Sequence, residues 1–211
     1  MIDRQSCGIL PAKPHTVCRA PDGKMLYEEM HTRGGFSGMF TYFYHRFPVT
    51  PHREVGVSKR GWAAPHADPE GQRPLRRRLY LSDKIPAGGQ LVDRRVPILF
   101  NKDVTVLLAR PTESDDTYFA NGDGDELWFV HEGVARLESP CGWLDVIPGD
   151  YVWVPKSMVH RWHVKEPMRL MGFEAHGGVF VPKSFRNPVG QLRMDAPYTH
   201  RDFVRPEGPV A

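Results

Sequence analysis

Two side chains carry the chemical interest of this sequence, Glu126 and His160. Glu126 opens the run Glu126-Leu127-Trp128-Phe129-Val130-His131-Glu132-Gly133, and His160 opens His160-Arg161-Trp162-His163-Val164. In an extended strand alternate side chains face the same way. Glu126 therefore shares a face with Trp128 and Val130, while Leu127, Phe129 and His131 face the other side. His160 shares a face with Trp162 and Val164, while Arg161 and His163 face away. A carboxylate and an imidazole brought together among apolar groups either bind a cation or form a simple polar pair. Iron, copper and zinc favour imidazole in such sites. The donors to recruit beside Glu126 and His160 are Asp123, Asp125 and His131, and the strand period turns His131 away.

The elements that must position these groups are short strands. Val96–Phe100 and Val104–Ala109 are β-rich runs, and Glu126–Leu137 alternates with a break at Glu132-Gly133 that reads as a hairpin turn or bulge. Trp143–Ile147 and Tyr151–Val154 flank Pro148-Gly149-Asp150, and His160–Val164 and Met168–Ala175 follow. About six strands separated by turns predict a sandwich or barrel. Upstream, a short helix is expected near 23–31, and the aromatic run Phe36, Met39, Phe40, Tyr42, Phe43, Tyr44, Phe47 reads either as an ordered packing arm or as a strand of the same core. Residues 56–78 and 83–95 read as surface loops around a short strand at Leu79-Tyr80-Leu81. Arg76–Arg78, Arg94 and Arg95 read as a solvated charged face. Trp128, Trp153 and Trp162 read as core, with a small-molecule pocket as the alternative.

Composition narrows the class. Twenty Gly and 20 Pro in 211 residues suit many turns and argue against a helical bundle. A formal charge of +3 without a basic stripe argues against a nucleic-acid partner. No apolar run reaches the length of a membrane span or a secretory signal. Cys7, Cys18 and Cys141 are odd in number and widely spaced, as expected of reduced thiols in the cytoplasm.

Two motifs resemble those of the cupin superfamily. Glu126 and Gly133, with six residues between them, match the end of its first motif. Pro148-Gly149-Asp150, Pro155 and His160 match its second. The resemblance implies an all-β fold, a cupin-type jelly-roll β-barrel with an irregular N-terminal arm and a Pro-rich C-terminal tail. The expected division is an arm over 1–95, the barrel over 96–178, and a tail or linker to a missing second domain over 179–211. Metal-binding cupins carry His-x-His just before the Glu; here that place holds Asn121-Gly122-Asp123-Gly124-Asp125.

A longer likeness runs through Tyr44–Thr50, Val104–Thr112, Asn121–Leu127, Val130–Gly133, Arg186-Asn187, Gly190–Leu192, Ala196–Tyr198 and Arg201-Asp202. These segments resemble the N-terminal half of bacterial homogentisate 1,2-dioxygenases. That family opens homogentisate with Fe(II) and O₂ in tyrosine and phenylalanine breakdown. The resemblance implies that the iron ligands belong to a second, C-terminal cupin half. No catalytic residue and no cofactor are therefore expected in this chain, and its partners are further copies of itself or a catalytic cupin half. The alternatives are a free-standing cupin acting as binding or scaffold module, and an independent metal cupin using Glu126 and His160.

Overall fold

Alternation decides which side chains are interior. In Val104–Ala109, Thr105, Leu107 and Ala109 are buried while Val104, Val106 and Leu108 are not. The same two-residue period recurs along Arg169–Ala175, where Leu170, Gly172 and Glu174 are buried. Strands of this kind stack their inner faces to make a core. The computed structural model describes residues 17–32, 35–36, 40–49, 77, 79, 81–188 and 190–208. These fall into two compact units, one drawn from Met1–Ser58 and Phe180–Val204, the other from Lys59–Val179 and Arg205–Ala211.

The second unit is the barrel. Its strands are β3 (Val96–Phe100), β4 (Val104–Ala109), β5 (Asp125–Glu132), β6 (Ala135–Ser139), β7 (Gly142–Val146), β8 (Tyr151–Val154), β9 (Arg161–Val164) and β10 (Arg169–Ala175). They form a five-stranded sheet, β3-β4-β10-β5-β8, and a three-stranded sheet, β7-β6-β9. Every pairing is antiparallel. From β5 onward the chain passes back and forth between the sheets, so neither closes without the other. Leu107, Ala109, Trp128, Val130, Val152, Val154 and Leu170 of the first sheet meet Ala135, Leu137, Val146 and Trp162 of the second in one buried cluster. This is the expected all-β barrel, with eight strands where the sequence suggests about six. The edge strand β7 is extended by the tail, where Glu207 bridges Trp143 and donates its N–H to the Trp143 carbonyl at 2.8 Å.

The motif residues act at the turns. Gly133 has φ +86°, and a Cβ there would lie 2.3 Å from the Pro167 carbonyl oxygen. Only glycine fits that position. In the Pro148-Gly149-Asp150 turn the Asp150 carboxylate accepts the Ile147 N–H at 2.9 Å, and Gly149 N–H donates to the Val130 carbonyl at 2.8 Å. The turn is thereby tied back to β5. After Pro155, Met158 N–H closes a turn onto the Pro155 carbonyl at 3.1 Å, which delivers the chain to His160.

The outer face of the five-stranded sheet is apolar. Strand register places Val96, Leu108, Met171, Phe129 and Tyr151 in one row across it, and Leu99, Val106, Phe173, Leu127 and Trp153 in the next. Tyr151 is 66% exposed and Leu99 60%.

In the other unit, β1 (Tyr27–Thr32) and β2 (Phe40–His45) form an antiparallel hairpin. The helix expected near 23–31 is therefore replaced by strand. Cross-strand pairs explain the preference: Tyr44 Oη donates to Glu28 at 3.0 Å, and His45 Nε2 lies 2.7 Å from Glu29. The aromatic run supplies β2. Leu79 and Leu81 are exposed and outside any strand, and 83–95 is not wholly surface. A 3₁₀ turn at Leu91–Asp93 buries Leu91 and Val92. Cys18 and Cys141 form no disulfide. Apart from Arg77, the expected loop at 56–78 lies outside the described residues, as do Cys7, Met39 and Tyr80. Among the described residues no helix is long and apolar enough to cross a membrane.

Candidate functional site

Glu126 lies on β5 and His160 immediately before β9, both 1% exposed and both turned into the barrel as the strand period requires. They do not form a private pair. Glu126 takes the Arg95 guanidinium in two-pronged fashion, Nη1 to Oε1 at 2.5 Å and Nη2 to Oε2 at 3.1 Å. Asn121 Nδ2 donates to Oε1 at 2.9 Å, and Trp128 Nε1 to Oε2 at 2.9 Å. Four donors thus converge on one buried carboxylate, which accommodates about four such bonds. Burial works to raise the pKa of Glu126. The charge and hydrogen bonds of Arg95, with smaller help from His160 and Asn121, outweigh it and hold the carboxyl below its ordinary value.

His160 is fixed from both sides. Its backbone N–H and carbonyl exchange hydrogen bonds with Phe119 at 2.9 and 2.8 Å, and the two rings meet edge to face at 5.8 Å. Nδ1 lies 2.9 Å from the Met158 carbonyl, so Nδ1 carries a proton and donates. Burial lowers its pKa, and the opposing pull of Glu126 and Met158 does not reverse this. The ring is therefore neutral at pH 7.

The guanidinium of Arg95 completes the arrangement. Arg95 is 5% exposed, its Cζ 4.6 Å from the Phe119 ring centroid and 5.3 Å from that of Trp128. This corrects its reading as part of a solvated face, since a bidentate carboxylate and two aromatic rings replace the water it gives up. A second buried carboxylate, Glu174 on β10, stands opposite Glu126 in register and accepts the other Asn121 Nδ2 proton at 2.8 Å.

The donors proposed for recruitment are used elsewhere. Asp123 is exposed. Asp125 is buried, but its carboxylate accepts Lys156 N–H at 2.8 Å, Val179 N–H at 2.7 Å and Trp153 Nε1 at 3.3 Å. His131 is exposed beside Glu132 on the outer face. Among the described residues no group of three or more His, Cys, Asp and Glu side chains is placed to hold a metal ion. An iron site implied by the fold does not fit this barrel, because the carboxylate it would use is saturated by a guanidinium, an amide and an indole. Trp128 and Trp162 are core, whereas Trp153 is 46% exposed on the outer face and lines no interior pocket.

Arg95 and Glu174 lie outside the residues that the sequence singles out for the site. Glu174 carried a signal, since it shares the inward period of β10 with Leu170 and Gly172. Arg95 carried none, lying in irregular chain ahead of β3.

A separate polar cluster sits on the three-stranded sheet. Glu138, 4% exposed, accepts Tyr118 Oη at 2.7 Å, His163 Nε2 at 2.6 Å and Arg161 Nε. Burial works to raise its pKa, but the hydrogen bonds from Arg161, Tyr118 and His163 win and bring it to about 2. The Tyr118 phenol is pushed up, first by that hydrogen bond and then by burial. The cluster ties the 115–119 segment to β6 and β9.

Fold and motif residues together define an all-β barrel of two antiparallel sheets, the architecture expected from the cupin-like motifs. No family model matches the chain. It is 30% identical over 200 residues, 94% of its length, to a Saccharolobus solfataricus protein named "Putative dioxygenase", of which it covers 50%. It is also 30% identical over 92 residues to the homogentisate 1,2-dioxygenase of Bradyrhizobium diazoefficiens, covering 43% of this chain and 20% of that one. The chain thus spans half, or less, of the curated relatives it matches. Among solved structures it resembles a cupin superfamily protein from Desulfitobacterium hafniense, at 20% identity and TM-score 0.40 over 48% of this chain and 93% of that one. A double-stranded β-helix protein from Klebsiella pneumoniae aligns at 20% identity and TM-score 0.41, over 48% and 92% of the two chains. The chain is an all-β barrel protein similar in sequence to proteins named as dioxygenases.

Proposed function

We propose that this chain is the non-catalytic barrel half of a homogentisate 1,2-dioxygenase-like enzyme, with the Fe(II) carried by a companion cupin half. The observation that carries the reading is the saturation of Glu126 by Arg95, Asn121 and Trp128, which leaves the family-marker position structural. The two dioxygenase-named relatives, each longer than this chain, support it. The ten-residue apolar outer face of the five-stranded sheet is the surface on which the companion barrel is expected to pack, because sheets of this kind bury such a face against another layer. In the absence of that companion, further copies of the chain are expected to take its place. The reading places the protein in the cytoplasm.

The test is O₂ uptake with homogentisate and Fe(II). The chain alone is expected to be inactive, and activity is expected on adding a companion domain bearing the iron ligands. Turnover by the chain alone would overturn the reading. The free-standing scaffold reading predicts instead that no companion restores activity and that the pure chain is monomeric.

A further inference from the structure

The barrel interior gathers the ingredients of a cation site. Two buried carboxylates, Glu126 and Glu174, stand opposite each other on adjacent strands. Asn121 bridges them at 2.9 and 2.8 Å. The Phe119 and Trp128 rings flank the space in front of Glu126, as their distances of 4.6 and 5.3 Å from the Arg95 Cζ record. A carboxylate fork between two aromatic faces recognises a planar, delocalised cation. It is poorly suited to a divalent metal, which needs several further donors at short range.

We propose that the barrel contains a guanidinium-binding site that is filled in cis by Arg95. The ligand class is a monosubstituted guanidinium, and the site consists of Glu126, Phe119 and Trp128, with Asn121 holding Glu126 in place. The tethered guanidinium supplies the interior positive charge and closes the barrel to metal ions and to free organic cations. The inference rests on barrel geometry and is independent of any reaction performed by relatives.

Chemical rescue tests it. Arg95→Ala empties the site and is expected to lower the melting temperature by roughly 6–20 °C, the range for an unpaired buried charge in a chain of this size. Millimolar methylguanidinium is expected to recover much of that loss in Arg95→Ala and to leave the wild type unchanged, judged against equal NaCl and methylurea. Fe(II), Ni(II) and Zn(II) are expected to recover nothing. An Arg95→Ala protein as stable as wild type, or rescued by a divalent metal rather than by methylguanidinium, would overturn the proposal. Should Arg95→Ala not fold, Arg95→Met/Glu126→Gln serves: removing both charges is expected to leave a barrel more stable than Glu126→Gln alone, and equal or lower stability contradicts the assignment.

Discussion

Gly172→Ala is expected to damage the barrel core. Gly172 on β10 stands opposite Trp128 on β5, and a Cβ built there falls 2.4, 2.6 and 2.7 Å from three carbons of the indole six-membered ring. Ordinary carbon contacts need about 3.5–4.0 Å, so the ring must retreat by roughly 1 Å. It has nowhere free to go. Trp128 is 0% exposed, its Nε1 donates to Glu126, and its face meets Arg95. Overpacking costs about 1–3 kcal/mol, and weakening a hydrogen bond to a charged group costs about 1.5–3 kcal/mol more. A total of about 2.5–6 kcal/mol corresponds to a fall of roughly 5–24 °C in melting temperature for a chain of this length. Urea titration followed by near-ultraviolet circular dichroism measures the effect. The Gly172→Ala/Trp128→Phe double variant is expected to be less destabilised than the sum of the singles by at least about 1 kcal/mol, because the smaller ring makes room. A Gly172→Ala protein within about 0.5 kcal/mol of wild type, or an additive cycle, would refute this account of how the ring is held.

Glu138 sets an acid response. Its pKa is depressed to about 2 when folded, so its contribution is fully present above the unfolded value and is lost as pH falls toward about 2. The whole contribution is roughly 3 kcal/mol, and Glu138→Gln is expected to flatten the stability profile below about pH 4.5, as acid titration of the urea midpoint would show. Asn121→Ala leaves Glu126 and Glu174 without their bridge and is expected to cost about 1–3 kcal/mol; an unchanged urea midpoint would contradict the bridging role. Phe129→Lys with Trp153→Lys, on the outer face, is expected to suppress self-association in light scattering with little change in melting temperature. Unchanged association would move the docking surface elsewhere.

Sequence pattern made the barrel legible because alternation and turn chemistry are local properties. Glu126, Trp128 and Val130 share a face by period alone, and Gly133 and Pro148-Gly149-Asp150 occupy positions whose backbone geometry selects those residues. The contents of the site were less legible, because they depend on which distant residue reaches in. Arg95 lies thirty-one positions before Glu126, outside any periodic element, and only the folded barrel brings its guanidinium between Phe119 and Trp128. The helix expected near 23–31 failed for a related reason: cross-strand partners on Phe40–His45 decide that segment. Glu174 was visible in the period of β10, but a carboxylate on a buried face gains meaning only once Asn121 joins it to Glu126.

Iron bound per chain is the most direct test of the central claim that an ion pair, not a metal, organises this barrel. The purified protein would be loaded anaerobically with Fe(II), desalted and assayed for iron. The account predicts far less than one iron per chain, with no change in Glu126→Gln or His160→Ala. Close to one iron per chain, lost in those variants, would contradict it.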